Sequence, residues 1–348
     1  MKRKPAIDWP AVADALVERI SHAALHPRAM ETAQKEFLRE RRPPRWALAF
    51  SGGSDSLALL LIFWADGPRR WGRDFVVMHF NHRLRGRAAD ADERFCAKVC
   101  AALGVKFVVG RWRGAPKVAT EAEARAARFD FFRREMGRRK IRLLWLGHQQ
   151  EDIAESMLMR LARGSGAAGL AAPRPAQAMP GGSWHLRPLL TLKKTEIVAA
   201  LRAAGATWRE DATNASGDFF RNRIRRTVLP AWARAAQRDA LAGAALAREL
   251  LEEDDFALEA RVDELDALGR DHVLSLKKLS GQPRAVLRRA LHRWLLVQPR
   301  AGELARQGFE TLLAAVERGT PTRHSLGRQG FAVIHAGLLR FGPAETRG

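Results

Sequence analysis

Trp46-Ala47-Leu48-Ala49-Phe50-Ser51-Gly52-Gly53-Ser54-Asp55-Ser56-Leu57 carries more structural information than any other stretch of this chain. A short apolar run stops at Ser51, two glycines and two serines follow with Asp55 among them, and an apolar helix-forming segment begins at once. That order reads as strand, turn, helix. Gly52 and Gly53 lack Cβ atoms, so backbone N–H groups can approach an anion closely. Successive N–H groups in such a turn form an anion-binding nest, and the positive end of the following helix points at the same spot. Ser51, Ser54 and Ser56 add hydroxyl donors. Asp55 alone would repel phosphate, which suggests a bridging Mg²⁺ held there. An ordinary glycine turn capped by Ser54 is the plainer reading, and Asp55 inside the turn weighs against it.

No Gly-Lys-Ser/Thr follows, so the turn is not a Walker loop, and the Gly-x-Gly-x-x-Gly dinucleotide fingerprint is absent. The stretch resembles the pyrophosphatase loop of the N-type ATP pyrophosphatases, which cleave ATP between the α and β phosphates.

Outward from the loop, strands alternate with helices. Phe75–His82, Val105–Val109 and Ile141–Leu146 read as strands, and Trp184–Leu190 as a short one. Ala89–Leu103, Glu121–Met136, Gln149–Ala162 and Lys193–Ala204 have helical spacing. βαβ spacing implies an α/β fold: a parallel sheet of about five strands with helices on both faces. Ligands of such sheets sit beyond the C-terminal strand ends, where the 51–56 loop, His79, His82 and His148 all fall. Pro173–Gly182 is rich in breakers and reads as a mobile connection, and the glycine-rich loop after Arg163 as a linker or lid. Residues 1–45 form a helical extension, 46–228 the nucleotide-binding domain, and 229–348 a mainly helical domain with short terminal strands. The main boundary is expected near 225–232.

The 348 residues carry a formal charge of +22, and 47% are hydrophobic. Such an excess of base favours a polyanion, most simply nucleic acid. No apolar run reaches the length of a membrane span, and no apolar signal core follows the basic start before Asp8. The expectation is a cytoplasmic protein with no membrane partner. Cys96 and Cys100 are spaced by four on a helix, which suits core thiols rather than a redox or zinc pair.

His148, Asp152 and Glu155 share one helix face that begins at a strand end. Clustered acids beside a phosphate site suit Mg²⁺ or an ammonium group, or merely complement the helix dipole. Arg128 could neutralise phosphate in a transition state. Arg221, Arg223, Arg225 and Arg226 form a single-sign cluster suited to an RNA backbone.

Taken in order, several segments resemble one family, tRNA(Ile)-lysidine synthetase. They are the 51–56 loop, His79-Phe-Asn-His-Arg-Leu-Arg85, Ala124-Arg-Ala-Ala-Arg-Phe129, His148-x-x-x-Asp152-x-x-Glu155 and Arg163-Gly-Ser-Gly166. Arg187-Pro-Leu-Leu190, Asp211-x-Thr-Asn214 and Arg221-Asn-Arg-Ile-Arg225 complete the series. The resemblance covers roughly 45–230. Glu151, Ser156 and Phe129 depart from the family's usual Asp, Thr and Tyr, and the chain's length beside the long members leads to the expectation of a reduced last C-terminal domain. The resemblance implies a PP-loop enzyme that adenylates the wobble cytidine of a CAU-anticodon tRNA(Ile) with ATP. It then joins L-lysine to C2, releasing AMP, so that AUA is read as isoleucine.

On this reading Ser51, Gly52, Gly53, Ser54, Asp55 and Ser56 bind ATP, and Asp55 holds Mg²⁺. Asp55, Arg128 and His148 act in catalysis, Asp152 and Glu155 bind the lysine ammonium, and the four arginines at 221–226 meet tRNA. A homodimer is an admissible assembly. Two rivals stand beside it: a tRNA thiolase of the same superfamily, and a non-catalytic RNA-binding protein on a nucleotide fold.

Overall fold

The computed structural model describes residues 7–39, 45–70, 74–116, 119–210, 220–298, 304–327 and 330–343. The chain forms two compact units, Met1–Glu249 and Leu250–Gly348.

The first unit opens with α1 (Trp9–Val17) and α2 (Pro27–Arg39). The α/β series follows: β1 (Arg45–Ala49), α3 (Ser54–Arg70), β2 (Phe75–Asn81), α4 (Arg87–Ala102), β3 (Lys106–Arg111), α5 (Glu121–Arg139) and β4 (Ile141–Trp145). Next come α6 (Gln150–Leu161), α7 (Ala167–Leu170), β5 (Ala176–Met179), β6 (Ser183–Leu186) and α8 (Lys194–Ala203). After the undescribed residues come α9 (Phe220–Arg223), a π-helical turn (Ile224–Val228) and α10 (Leu229–Ala235). α11 (Ala240–Leu265) begins in this unit and ends in the second.

The strand order is β3-β2-β1-β4-β6-β5. β1 pairs in parallel with both β2 and β4, so the chain winds one way from β1 to β3 and the other way from β4 outward. The crevice of such a sheet lies at that switch point, beyond the ends of β1 and β4. Both faces of β1 are covered, as an apolar strand without alternation requires. Trp46 and Leu48 belong to a core with residues of α1, α3, α4 and α8. Ala47 belongs to the opposite core with Phe131, Phe132 and Met136 of α5.

Two expectations are corrected here. The strand expected over 184–190 ends at Leu186, and Pro188–Thr191 is a 3-10 turn, because Pro188 has no N–H for a strand ladder. The connection expected to be mobile over 173–182 contains β5, an antiparallel partner of β6. Gly181 and Gly182, both at positive φ, make its hairpin turn possible.

The second unit holds β7 (Leu274–Ser275), α12 (Leu276–Leu279), α13 (Arg284–Leu296), α14 (Arg306–Arg318), β8 (Thr322–Ser325), β9 (Gly330–His335) and β10 (Leu338–Pro343). Its four strands form a second, antiparallel sheet in the order β7-β10-β9-β8. Its own core is centred on Leu291, Trp294, Leu312 and Leu313. The compact division falls within α11, C-terminal to the 225–232 junction expected from sequence. Ile224 and Leu229 lie in a core with Ile153 and Ala154 of α6, which holds the 220–235 helices to the first unit.

Candidate active site

The loop from Phe50 to Ser54 leaves the end of β1 and enters α3 directly. Gly52 takes φ +90°, and a Cβ there would meet Cys96 Sγ at 3.2 Å, so this position needs glycine twice over. Within the loop, Ser56 Oγ accepts from the Ser51 N–H at 3.2 Å and donates to the Gly53 carbonyl at 3.0 Å. Ser51 Oγ lies 3.0 Å from Ser56 Oγ. His79 Nδ1 donates to the Phe50 carbonyl at 2.8 Å, which ties the loop to β2. Burial lowers the His79 pKa, so the ring is neutral there, which suits a structural anchor.

Asp55 stands in the first turn of α3. Lys194, the first residue of α8, reaches it: Nζ donates to Asp55 Oδ1 at 2.8 Å, Oδ2 at 2.7 Å and Ser54 Oγ at 2.7 Å. Burial raises the Asp55 carboxyl above its usual range, against the opposing pull of Lys194. Arg209 clasps the other side of the loop, its N–H donating to the Gly52 carbonyl at 2.9 Å. Its guanidinium donates to the buried Asp92, which also accepts from Arg85. Arg85 belongs to the basic run after His82, so that run is brought to the loop through Asp92.

Across the switch point, Gly147 follows β4. A Cβ on it would lie 3.0 Å from the Ser56 nitrogen and 3.1 Å from the Asp55 carbonyl, so glycine lets the end of β4 meet the first turn of α3. His148, Asp152 and Glu155 then line α6 as the spacing predicts. Asp152 Oδ2 caps the helix by accepting from the Gln149 N–H at 2.9 Å. Its other oxygen accepts from Arg221 at 2.5 Å. Glu155 is fully buried and accepts from Arg221 Nε at 2.7 Å and from Arg225 Nε at 2.5 Å. Burial works to raise the Asp152 carboxyl, yet Arg221 and its other partners prevail and its pKa falls. Burial likewise opposes the charge of Arg221, but Asp152 and Glu155 prevail and its pKa rises. The arginine cluster therefore divides: Arg221 and Arg225 turn inward onto the carboxylates, and Arg223 and Arg226 stay exposed. Arg221 in α9 and Arg225 in the π-helical turn are four residues apart and so reach the same carboxylate.

A cationic wall completes the crevice. The capping box of Thr120 and Glu123 starts α5, which presents Arg125 and Arg128 near the strand ends. Their guanidinium carbons lie 4.6 and 5.4 Å from the Phe129 ring centre. Burial and the neighbouring Arg125 and Arg221 push the Arg128 pKa down to about 10. Burial and Arg125 do the same to Arg187, which follows β6. Arg187 also donates to the Arg174 carbonyl at 2.7 Å and to Gln177 at 3.1 Å, holding β5 to β6. Burial, then Arg187, hold the His148 pKa well below its ordinary value, so the imidazole is neutral at pH 7. Crowded cations short of counter-charge make a place where an anion would be stabilised.

Sequence reasoning passed over Lys194, Arg209 and Asp92. Lys194 sits at a helix start four residues after Arg187-Pro-Leu-Leu190, a position that says nothing without the fold. The Asp211-x-Thr-Asn214 segment lies outside the described residues. Among the described residues, no cluster of three His, Cys, Asp or Glu side chains is arranged to hold a metal. Both cysteines are buried and free, and burial pushes the Cys100 thiol up to about 12.

This geometry defines a class, a nucleotide loop of the PP-loop type at the switch point of a parallel sheet. The family model for the PP-loop domain matches residues 27–232, and the chain belongs to that family. The relatives are more specific. A tRNA(Ile)-lysidine synthase of Geobacter sulfurreducens is 36% identical over 301 residues, covering 82% of this chain and 61% of the relative. The synthase of that name from Pseudomonas putida is 34% identical over 72% of this chain and 60% of its own length. That of Solibacter usitatus is 40% identical over 53% of this chain and 40% of its own. The chain thus spans under two thirds of the length of these curated relatives. Among solved structures, a tRNA thiolase from Methanococcus maripaludis shares the fold, with TM-score 0.50 and 15% identity over 69% of this chain and 78% of the thiolase. No described helix is long and apolar enough to cross a membrane.

Proposed function

We propose that this chain forms lysidine on tRNA(Ile), using ATP to adenylate O2 of the wobble cytidine and then lysine to displace AMP from C2. The observation that carries the reading is the meeting at one switch point of two unlike walls: the 51–56 loop with Asp55, and the α6 carboxylates Asp152 and Glu155. Gly147 is what lets the two come so close. One wall suits a triphosphate, the other an ammonium.

In the first step a carbonyl oxygen of the base attacks the α-phosphorus. The bond from that phosphorus to the β-bridging oxygen breaks, and its electron pair leaves on pyrophosphate. The loop N–H groups and the positive end of α3 hold the phosphates, and Arg128 offsets charge at the α-phosphate. His148, being neutral, serves as a hydrogen-bonding group rather than a counter-ion. Asp55 fits a Mg²⁺ site made of one carboxylate with substrate oxygens and water, the style that ion prefers. A Mg²⁺ ion held by Asp55 would supply positive charge that offsets the phosphates.

In the second step the lysine ammonium gives up a proton to solvent water, its free amine attacks C2, and AMP leaves with the electron pair of the C–O bond. Asp152 and Glu155 receive the ammonium beforehand. In doing so it competes with Arg225, the more exposed of the two arginines on Glu155 at 38% against 23% for Arg221. The base must be splayed out of the anticodon loop to reach this depth. Arg223, Arg226 and the general basic charge grip the tRNA backbone. The buried thiols speak against thiolation, which needs accessible sulfur ligands.

The test is incubation with ATP, Mg²⁺, labelled lysine and a CAU-anticodon tRNA. Lysine incorporation with release of AMP and pyrophosphate is expected. tRNA binding without either product would replace this reading with a binding-only role.

A further inference from the structure

We propose that Asp92 and Arg209 are positioning residues of this site, which together hold the Gly52–Gly53 peptide with its N–H turned toward the phosphates. The proposal rests on the ATP-dependent reading above and deepens it. Neither residue falls in the segments that carry the family resemblance.

Arg209 grips the loop by its backbone. Its N–H donates to the Gly52 carbonyl at 2.9 Å. A Cβ on Gly52 would lie 3.4 Å from Arg209 Cγ, so the arginine stem lies along the same peptide. In a planar trans peptide the C=O and the next N–H point opposite ways. Fixing the Gly52 carbonyl on Arg209 therefore turns the Gly53 N–H into the loop, where it meets Ser51 Oγ at a long 3.4 Å. A donor held so weakly is open to a phosphate oxygen. Gly52, at φ +90°, has no side chain to lock this peptide, so the lock has to come from outside the loop.

The grip is anchored by Asp92. Arg209 Nε donates to Asp92 Oδ1 at 2.7 Å, across 117 positions of sequence. Asp92 is buried on α4, one helical turn before Cys96, the residue beneath Gly52. A buried carboxylate needs a counter-charge, and Arg85 on Oδ2 at 2.8 Å already supplies one. The second guanidinium is not required to neutralise Asp92. The dependence runs the other way: Asp92 fixes Arg209, and Arg209 fixes the loop.

Charge separates this role from a direct one. Asp92 places a negative charge behind a loop that receives phosphates, so Coulomb forces alone would make Asp92→Asn bind ATP more tightly. Positioning requires the opposite sign.

Asp92→Asn, Arg209→Met, their double variant and Arg209→Lys, each checked for folding by thermal melting, test this. One readout is equilibrium binding of a non-hydrolysable ATP analogue at about 50 and 500 mM salt. The other is the KM for ATP and for lysine in the complete reaction. Asp92→Asn and Arg209→Met are each expected to weaken analogue binding about tenfold, with the double variant no worse than either. The ATP KM should rise in step while the lysine KM stays within twofold, and Arg209→Lys should recover part of the loss. Analogue affinity within twofold of wild type, or tighter, in folded Asp92→Asn would overturn the proposal, as would equal rises in both KM values. Should Asp92→Asn not fold, Arg209→Met decides, its side chain being 42% exposed in the native protein. A binding deficit that persists at high salt supports positioning; one that vanishes there is a lost long-range charge and overturns it. A wild-type protein that bound no analogue would overturn both readings. One that bound it but formed no lysidine would sink the lysidine reading alone, and the variants would still judge Asp92 and Arg209.

Discussion

Asp55 and Glu155 look alike in sequence, each an acid near a strand end, yet their surroundings differ. Asp55 meets the Lys194 ammonium, and burial keeps its proton affinity high. Replacing it by Asn should cut pyrophosphate release at least a hundredfold while tRNA affinity stays within twofold; filter binding and a pyrophosphate assay on one preparation check both. Glu155 is buried under two guanidinium groups. Truncating it would leave buried arginines unpaired at a cost of about 3–5 kcal/mol, so the informative change is Glu155→Gln. Its lysine KM should rise at least tenfold while its ATP KM changes little. A lysine KM that does not move would take Glu155 out of the amine site.

At the level of elements, the site is made by the end of β4 and the first turn of α3 brought closer than a side chain allows. Gly147→Ala puts a methyl group against backbone atoms of Asp55 and Ser56, which have no rotamer to change. About 1–3 kcal/mol of stability should be lost, with a rise in ATP KM of about tenfold and tRNA affinity unaffected. Steady-state kinetics beside a urea melt separate the two effects. β6 contributes His185, whose pKa falls to about 4 through burial and the charges of Arg187 and Arg125. The unfolded chain takes up that proton near its ordinary 6.5, before the folded chain does. The stability from keeping His185 neutral is therefore present above pH 6.5 and lost as pH falls from there toward 4. The loss runs at up to about 1.4 kcal/mol per pH unit. His185→Phe should flatten the fall in urea midpoint between pH 7 and pH 5; an unchanged slope would assign it to other groups.

For the whole molecule the governing number is the charge of +22, which calls for a polyanion. tRNA affinity should drop steeply with salt. Arg223→Ala and Arg226→Ala should each reduce the slope by about 0.9 for every phosphate no longer neutralised. Fluorescence titration from 50 to 200 mM salt gives the slope, and a flat response would remove the electrostatic grip. Most of the fold was legible because its signals are local. A fully buried parallel strand must be apolar, as at Trp46–Leu48, and a phosphate turn must be glycine-rich. The hairpin holding β5 escaped notice because its alternation is only four residues long and glycines flank it.

The amino-acid order alone determined the loop at 51–56, the α6 acids on one face and the βαβ winding that sends them to one crevice, since helix and strand periods are properties of neighbours in the chain. Only tertiary structure decided which charges answer which. Arg221 and Arg225 close on Asp152 and Glu155 from about seventy positions away, and Lys194 reaches Asp55 across 139. Coulomb attraction acts on distance in space, and no pattern of neighbouring residues records that distance.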